Sequence, residues 1–211
     1  MLANKDMVAV LQAVASDFES HSEELRQLDA VIGDGDLGVT VELGSKALRG
    51  YLASPDEDNI GQLLAKCGLQ FNKASPSTFG TLLASAFMGA GKAVTGKTEI
   101  DVEDFSLMAD GAVDGIKKRG KAEIGDKTML DCLVPAVEAF KKELAGGADF
   151  KVALQAAVTA AEEGMKATTT MMSKHGRASW HREKTIGVQD AGATAMYYLI
   201  EPFARHLISR I

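Results

Sequence analysis

The sequence is poor in the features that mark secreted, membrane and nucleic-acid-binding proteins. Its 211 residues include two cysteines, Cys67 and Cys132. Both lie inside apolar segments without CxxC spacing, so neither a disulfide framework nor a zinc site is expected. Each thiol should pack as a small hydrophobe in a reducing compartment. No stretch approaches the roughly 18 consecutive apolar residues of a membrane span. The N-terminus, MLANKDMVAV, has neither the apolar run nor the small-residue cleavage site of a secretory signal. The chain therefore reads as cytoplasmic, with no membrane partner. Basic residues are outnumbered, 23 Lys and Arg against 29 Asp and Glu, which leaves a net charge of −6. Nucleic acid is not an expected partner, because its phosphates need clustered cations. An acidic chain can still bind a nucleotide if metal ions neutralise its phosphates. Also missing is any pair of alternating β-branched runs joined by a tight turn, so a sheet is not expected.

What the sequence does have is helical periodicity. Met196, Leu199, Ile200, Phe203, Leu207 and Ile208 share one face of the last segment, and Phe105, Met108, Ala112 and Ile116 share one face of another. Asp101, with Asp104 three residues on, reads as the N-cap of the latter. Alanine-rich runs at 82–93 and 153–167 favour helix and permit close helix contact. The spacing predicts helices over 5–20, 22–31, 39–52, 59–72, 77–94, 101–118, 128–144, 149–171 and 191–208. Most links are short, so neighbours should run antiparallel in an all-α bundle or barrel. The length suits a single domain over 1–211. Two loops, 32–38 and 172–190, concentrate Gly, Asp, Arg and His.

The first loop is the most informative. Asp29, Asp34 and Asp36 lie within eight residues, interspersed with Gly33, Gly35 and Gly38. The glycines break the helix and allow a tight fold that returns Asp34 and Asp36 towards Asp29. Converging carboxylates repel and call for a cation, and hard oxygen ligands suit Mg²⁺. An EF-hand fits poorly, since the twelfth position from Asp34 is Ser45. Apolar Val31, Ile32 and Leu37 flank the acids and suggest a partly buried loop. The plain alternative is a surface turn that uses Asp and Gly for their turn propensity.

Phosphate-binding candidates are weaker. Ser75 reads as an N-cap with Pro76 at the first helical position, and the free N–H groups there, with Ser77 and Thr78, could hold a phosphate. Residues 91–98 match G-x-x-x-x-G-K-[ST]. That mechanism needs a strand before and a helix after, whereas here an alanine-rich helix precedes and four acids follow by Asp104. A helix-ending loop is the better reading. Arg177 could grip a phosphate, and Asp190 reads as the N-cap of the last helix. His175 and His181 lack the partners of a zinc site.

Four segments together resemble a known family, the nucleotide-binding L subunit of bacterial two-component dihydroxyacetone kinases. Asp29 to Gly38 is similar to its aspartate loop, and Arg119 to Met129 to its RGKAxxGDKTM segment. Gly176 to Ser179 matches GRAS, and Gln189 to Ala193 is similar to QDPGA. The order is the family's and the matches span essentially the whole chain. The resemblance implies about eight antiparallel helices in a barrel with the nucleotide bound among loops at one end. It implies that Asp29, Asp34 and Asp36 hold two Mg²⁺ ions against the phosphates of ADP or ATP. It also places Gly38, Val39 and Thr40 beside the nucleotide, Gly120 and Met129 along adenine and ribose, and Arg177, Asp190 and Gly192 closing the site. The ketose would sit on a separate K subunit, and a phosphotransferase-system phosphocarrier, the M subunit, would rephosphorylate ADP in some members. No general base is expected in this chain, and monomer and homodimer both stay open. Three positions depart from the pattern: Leu37 stands where the family commonly has His, residues 74–80 replace a GGASGPLxG loop, and Ala191 replaces Pro. With the second departure, phosphate contacts would pass to Ser77 and Thr78, and a tetrulose is an alternative acceptor.

Overall fold

Helical periodicity decides the architecture. The structure is a computed structural model whose described residues are 1–210, and nine α-helices carry most of them. They are α1 (Asn4–Ser20), α2 (Ser22–Ile32), α3 (Leu37–Leu52), α4 (Ile60–Ala74), α5 (Thr78–Ala93), α6 (Val102–Gly120), α7 (Leu130–Ala145), α8 (Phe150–Ala167) and α9 (Ala191–Ile208). Each has its counterpart in the sequence reading. The main difference is α8, which stops at Ala167 and tightens into a 3-10 turn over Thr168–Thr170. The second long loop is partly ordered as a 3-10 segment, Arg177–Thr185. Sheet is confined, among the described residues, to Leu2–Ala3 paired antiparallel with Glu99–Ile100. A ladder of two residues is too short to imprint an alternating pattern, which is why the sequence shows none.

The helices group into two compact units, each assembled from separated stretches of chain: residues 1–19, 40–121 and 205 onward form the first, residues 20–39 and 122–204 the second. In the first unit α4, α5 and α6 pack in succession through small residues. A Cβ added to Gly89 would lie 2.0 Å from the Gly111 carbonyl oxygen, and one on Gly115 2.2 Å from that of Ser85. Moving back one turn in α5 thus moves forward one turn in α6, the register of an antiparallel pair. Gly61 against Gly91 and Gly68 against Ala84 repeat the pattern between α4 and α5. The alanine-rich run of α5 is therefore a seam on two sides, as the composition suggested. Phe18 and Phe71 stack at 6.5 Å in this core, where Cys67 is buried as a free thiol. Asp101 and Asp104 form the expected capping box at the start of α6.

In the second unit α7 packs on α8, and a Cβ on Gly164 would lie 2.1 Å from the Asp131 carbonyl oxygen. Phe140 and Phe150 meet edge to face at 5.7 Å, and Cys132 is buried and free. Ala193, Thr194, Ala195 and Met196 bury the first turns of α9. Asp190 caps that helix as anticipated, its Oδ2 accepting from the Ala193 N–H at 2.7 Å.

The glycine seam has an opposite sign to helix propensity. Replacing a mid-helix glycine by alanine stabilises an isolated helix by about 1 kcal/mol. Gly111→Ala should instead destabilise the protein by about 2 kcal/mol, because the methyl must displace the α5 backbone. Urea unfolding of the variant against the wild type measures this; a gain in stability would mean that α5 and α6 are not in such close contact.

Candidate metal and nucleotide site

The three aspartates converge because each glycine between and after them removes a specific obstacle. Asp29 lies in the last turn of α2, which ends at Gly33, whose N–H donates to the Asp29 carbonyl at 2.6 Å. A Cβ on Gly33 would fall 2.2 Å from Asp29 Oδ1, so the carboxylate occupies the space a side chain would need. Gly35 has φ +74°, a left-handed turn that other residues rarely adopt. Gly38, in the first turn of α3, would drive a Cβ to 2.3 Å from the Ser22 carbonyl oxygen; its absence lets α3 press on α2. Leu37 N–H donates to Asp29 Oδ2 at 3.3 Å, tying the helix start to the acid. One carboxylate oxygen from each of Asp29, Asp34 and Asp36 lies within 4.8 Å of the others.

The acids are more open than their apolar neighbours suggested. Asp34 and Asp36 are exposed and Asp29 half-buried. Leu37 is buried but Val31 is 59% exposed, because α2 buries only Leu25. The loop is thus partly buried, through Ile32 and Leu37 and not through Val31. Burial and the neighbouring Asp29 both push the Asp36 carboxyl above its usual value. The Arg177 guanidinium lies against the Asp34 carboxylate, so the GRAS-like segment and the aspartate loop meet.

Asp190 belongs to the same electrostatic neighbourhood. Desolvation pushes its carboxyl up to about 6, with Asp131 and Asp29 adding to the rise and the Ala193 N–H and Lys127 opposing it. A Cβ on Gly192 would sit 3.1 Å from Asp190 Oδ2 and 3.8 Å from the Met129 N atom, so these three share one corner. Met129 itself is buried. The turn before it is held by Asp131, whose Oδ1 accepts from Gly125 N–H at 2.5 Å and Oδ2 from Thr128 N–H at 2.7 Å. Asp126 accepts from Lys174 Nζ at 2.7 Å and pairs with His175 Nε2 at 3.0 Å, joining this turn to the second loop.

The second unit thus brings together Asp29, Asp34, Asp36 and Arg177, and separately Asp190, Gly192 and Met129. Gly38 is buried and Val39 is 49% exposed at the start of α3. Thr40, Ser77, Thr78 and Gly120 belong to the first unit. There the N-cap reading needs correction. Ser77, not Ser75, caps α5, its Oγ accepting from Gly80 N–H at 2.9 Å. Ser75 ends α4 in an extended conformation (φ −141°, ψ 82°), as a residue before proline prefers, so Pro76 stands in the link and not in the helix. Residues 91–98 do not form a phosphate loop: α5 ends inside the motif, no helix begins at Lys97, and Lys97 pairs with Asp104. Sequence reasoning missed Lys127 and Asp131 as organisers. Lys127 lies in a glycine-containing link and Asp131 in the first turn of α7, and both are 2% exposed, a burial that only the fold reveals.

Residues 31–205 match the DAK2 domain. The chain belongs to the DAK2 family. It is 36% identical over 205 residues to the ADP-binding subunit DhaL of the PEP-dependent dihydroxyacetone kinase of Escherichia coli, covering 96% of this chain and 97% of that one. It is 35% identical over 191 residues to the D-erythrulose kinase of Mycolicibacterium smegmatis, covering 87% of this chain but 32% of that longer protein. Among solved structures it is similar to the dihydroxyacetone kinase of C. freundii in complex with AMP-PNP and Mg²⁺. The TM-score is 0.71 at 25% identity, over 94% of this chain and 33% of that one. This member of the DAK2 family therefore spans the full length of a separate subunit and about a third of the single-chain kinases.

The Asp126 cluster gives the fold a pH dependence. Lys174 above all, with the Glu123 N–H and His175, holds the Asp126 carboxyl well below the usual range. A depressed carboxylate contributes stability that is complete above its unfolded value near pH 4 and is lost as pH falls through the folded one. Asp126→Asn should cost about 1 kcal/mol at pH 7, a figure reduced for solvent screening. The difference from wild type should shrink below about pH 4, as unfolding curves at pH 7 and pH 3 will show.

Proposed function

We propose that residues 1–211 act as one nucleotide-binding domain, the phosphoryl-donor subunit of a kinase for dihydroxyacetone or a related small ketose. The observation that carries this reading is the three-aspartate cluster in a chain that parallels an ADP-binding DhaL subunit from end to end. The donor set suits the metal: three carboxylates offer hard oxygens, the class Mg²⁺ takes while sharing its remaining positions with water and phosphate. Ligands on one octahedral Mg²⁺ stand about 3 Å apart when adjacent and about 4.2 Å apart when opposite, so the three oxygens would draw closer together on binding an ion. Asp29, Asp34 and Asp36 would hold the ions, two by the family's pattern. When bound, Mg²⁺ neutralises phosphate charge and orients the transferring group.

The chain's own residues supply positioning. Arg177, now paired with Asp34, is the guanidinium nearest the acids and would turn to a phosphate oxygen when a cation takes that carboxylate. Met129, with Gly120, would lie along adenine and ribose, and Asp190, which orients the start of α9, would close the site with Arg177 and Gly192. Gly38, Val39 and Thr40 would flank the phosphates; Ser77, Thr78 and Gly120 complete the proposed contacts. No residue here is asked to act as a base, because phosphoryl transfer depends mainly on alignment and charge neutralisation.

The ketose would be held by a separate K subunit. The full-length likeness to a PEP-dependent subunit favours ADP as a resident cofactor recharged by a phosphocarrier M subunit over free exchange of ATP. A cytoplasmic location follows from that assignment, and a homodimer remains compatible with it. Likeness to a D-erythrulose kinase keeps a tetrulose as the second acceptor to try. Calorimetric titration of ADP and ATP, with and without Mg²⁺, tests the proposal on the wild type, Asp34→Ala and Lys97→Ala. Binding should require Mg²⁺, weaken at least tenfold in Asp34→Ala and stay unchanged in Lys97→Ala. A wild type that neither binds nor co-purifies with nucleotide would refute it.

A further inference from the structure

Lys127 is an unusual lysine. Its side chain is buried and its backbone is left-handed, with φ +61°. The ammonium donates to three backbone carbonyls: Met171 at 3.1 Å, Thr185 at 2.5 Å and Val188 at 2.6 Å. Met171 lies at the start of the second long loop, and Thr185 and Val188 lie at its end. One cation thus fastens both ends of a segment whose middle carries Arg177. The neighbouring bonds reinforce the same closure. Gly187 N–H donates to the Thr169 carbonyl at 2.7 Å, Ser173 N–H to Thr185 Oγ1 at 3.0 Å, and Lys174 N–H to the Asp126 carbonyl at 3.2 Å. None of these bonds is charged; the Thr185 carbonyl also accepts from the Val188 N–H at 3.3 Å, while Lys127 is the donor that joins all three carbonyls.

Holding a buried ammonium on neutral carbonyls is costly, and burial lowers the Lys127 pKa accordingly. A leucine would pack the same volume without that cost. The charge makes sense if it has a second use. A lysine has three donors and can satisfy three carbonyls at once, which no apolar side chain can. It also draws the Asp190 carboxylate, the cap of α9, into its field. Between the fastened ends, Trp180 is 81% exposed and Arg182 sits at φ +50°.

We infer that Lys127 is a positioning residue: its ammonium closes the 171–188 loop and thereby sets where Arg177 stands relative to the three aspartates. The inference rests on the nucleotide reading only for its effect on ligand affinity; the closure itself can be read without ligand. In Lys127→Met, amide hydrogen exchange over residues 172–188 should quicken at least tenfold while α4 to α8 stay protected. The anisotropy of Trp180, the single tryptophan, should fall. The Mg²⁺·ADP dissociation constant should rise about tenfold, but less than twofold when Lys127→Met is added to Arg177→Ala, because the two act through one contact. Lys127→Gln, which keeps two donors, provides a milder variant if Lys127→Met does not fold, and should fall between it and wild type.

Unchanged exchange and anisotropy in a folded variant would overturn the closure. Equal losses of affinity in both backgrounds would reduce Lys127 to a general stabiliser and overturn its positioning role. If the wild type binds no Mg²⁺·ADP, the proposed function fails, and exchange and anisotropy alone decide whether Lys127 closes the loop.

Discussion

Three carboxylates whose oxygens lie within 4.8 Å of one another repel, and holding them there is the constraint on which the site depends. The fold meets it with backbone geometry. Gly33 leaves room for the Asp29 carboxylate, Gly35 supplies the left-handed turn, and Gly38 lets α3 close on α2 so that the Leu37 N–H reaches Asp29. The start of α3 also places the positive end of its dipole next to Asp29, whose Oδ2 accepts the Leu37 N–H. Burial first, and the neighbouring Asp29 second, still push the Asp36 carboxyl up. A divalent cation is the natural partner for the three acids, and Arg177 on Asp34 is a weaker substitute.

The same logic of charge held by backbone recurs across the second unit. Asp131 is satisfied by the N–H groups of Gly125 and Thr128, Asp190 by that of Ala193, and Lys127 by three carbonyls. Each of these charged groups organises a short loop, and each loop carries residues assigned to the nucleotide. The first unit has a different character. There, small residues fit α4, α5 and α6 together at backbone contact, and the buried groups are mostly apolar. The aspartate cluster and the Asp190 corner lie in the second unit, and Thr40, Ser77, Thr78 and Gly120 in the first.

Much of this was legible in the residues. Helix positions followed from periodicity because each helix buries one face, as Phe105, Met108 and Ile116 do on α6. The Asp101 capping box and the Asp190 cap were legible because capping is local chemistry. The aspartate loop was legible because glycine and aspartate in that spacing have few other uses. Other features depend on distant parts of the chain and left no local trace. Ser77 rather than Ser75 caps α5 because the helix starts at Thr78, which puts the Gly80 N–H within reach of Ser77 Oγ. Val31 is exposed because α2 buries only Leu25. Lys127 looks like an ordinary loop lysine until residues about 44 to 61 positions away close over it. The family resemblance, carried by four short segments, fixed the chemistry more firmly than periodicity could.

The central claim is that Asp29, Asp34 and Asp36 form a cation site completed by a nucleotide. Mn²⁺ can replace Mg²⁺ at carboxylate and phosphate oxygens and is visible by electron paramagnetic resonance, so it reads this site directly. Titrating Mn²⁺ into the protein with and without ADP should show strong binding only when the nucleotide is present. The bound signal should disappear in Asp36→Asn and persist in Lys97→Ala. Binding that ignores Asp36, or no bound Mn²⁺ under either condition, would contradict the account.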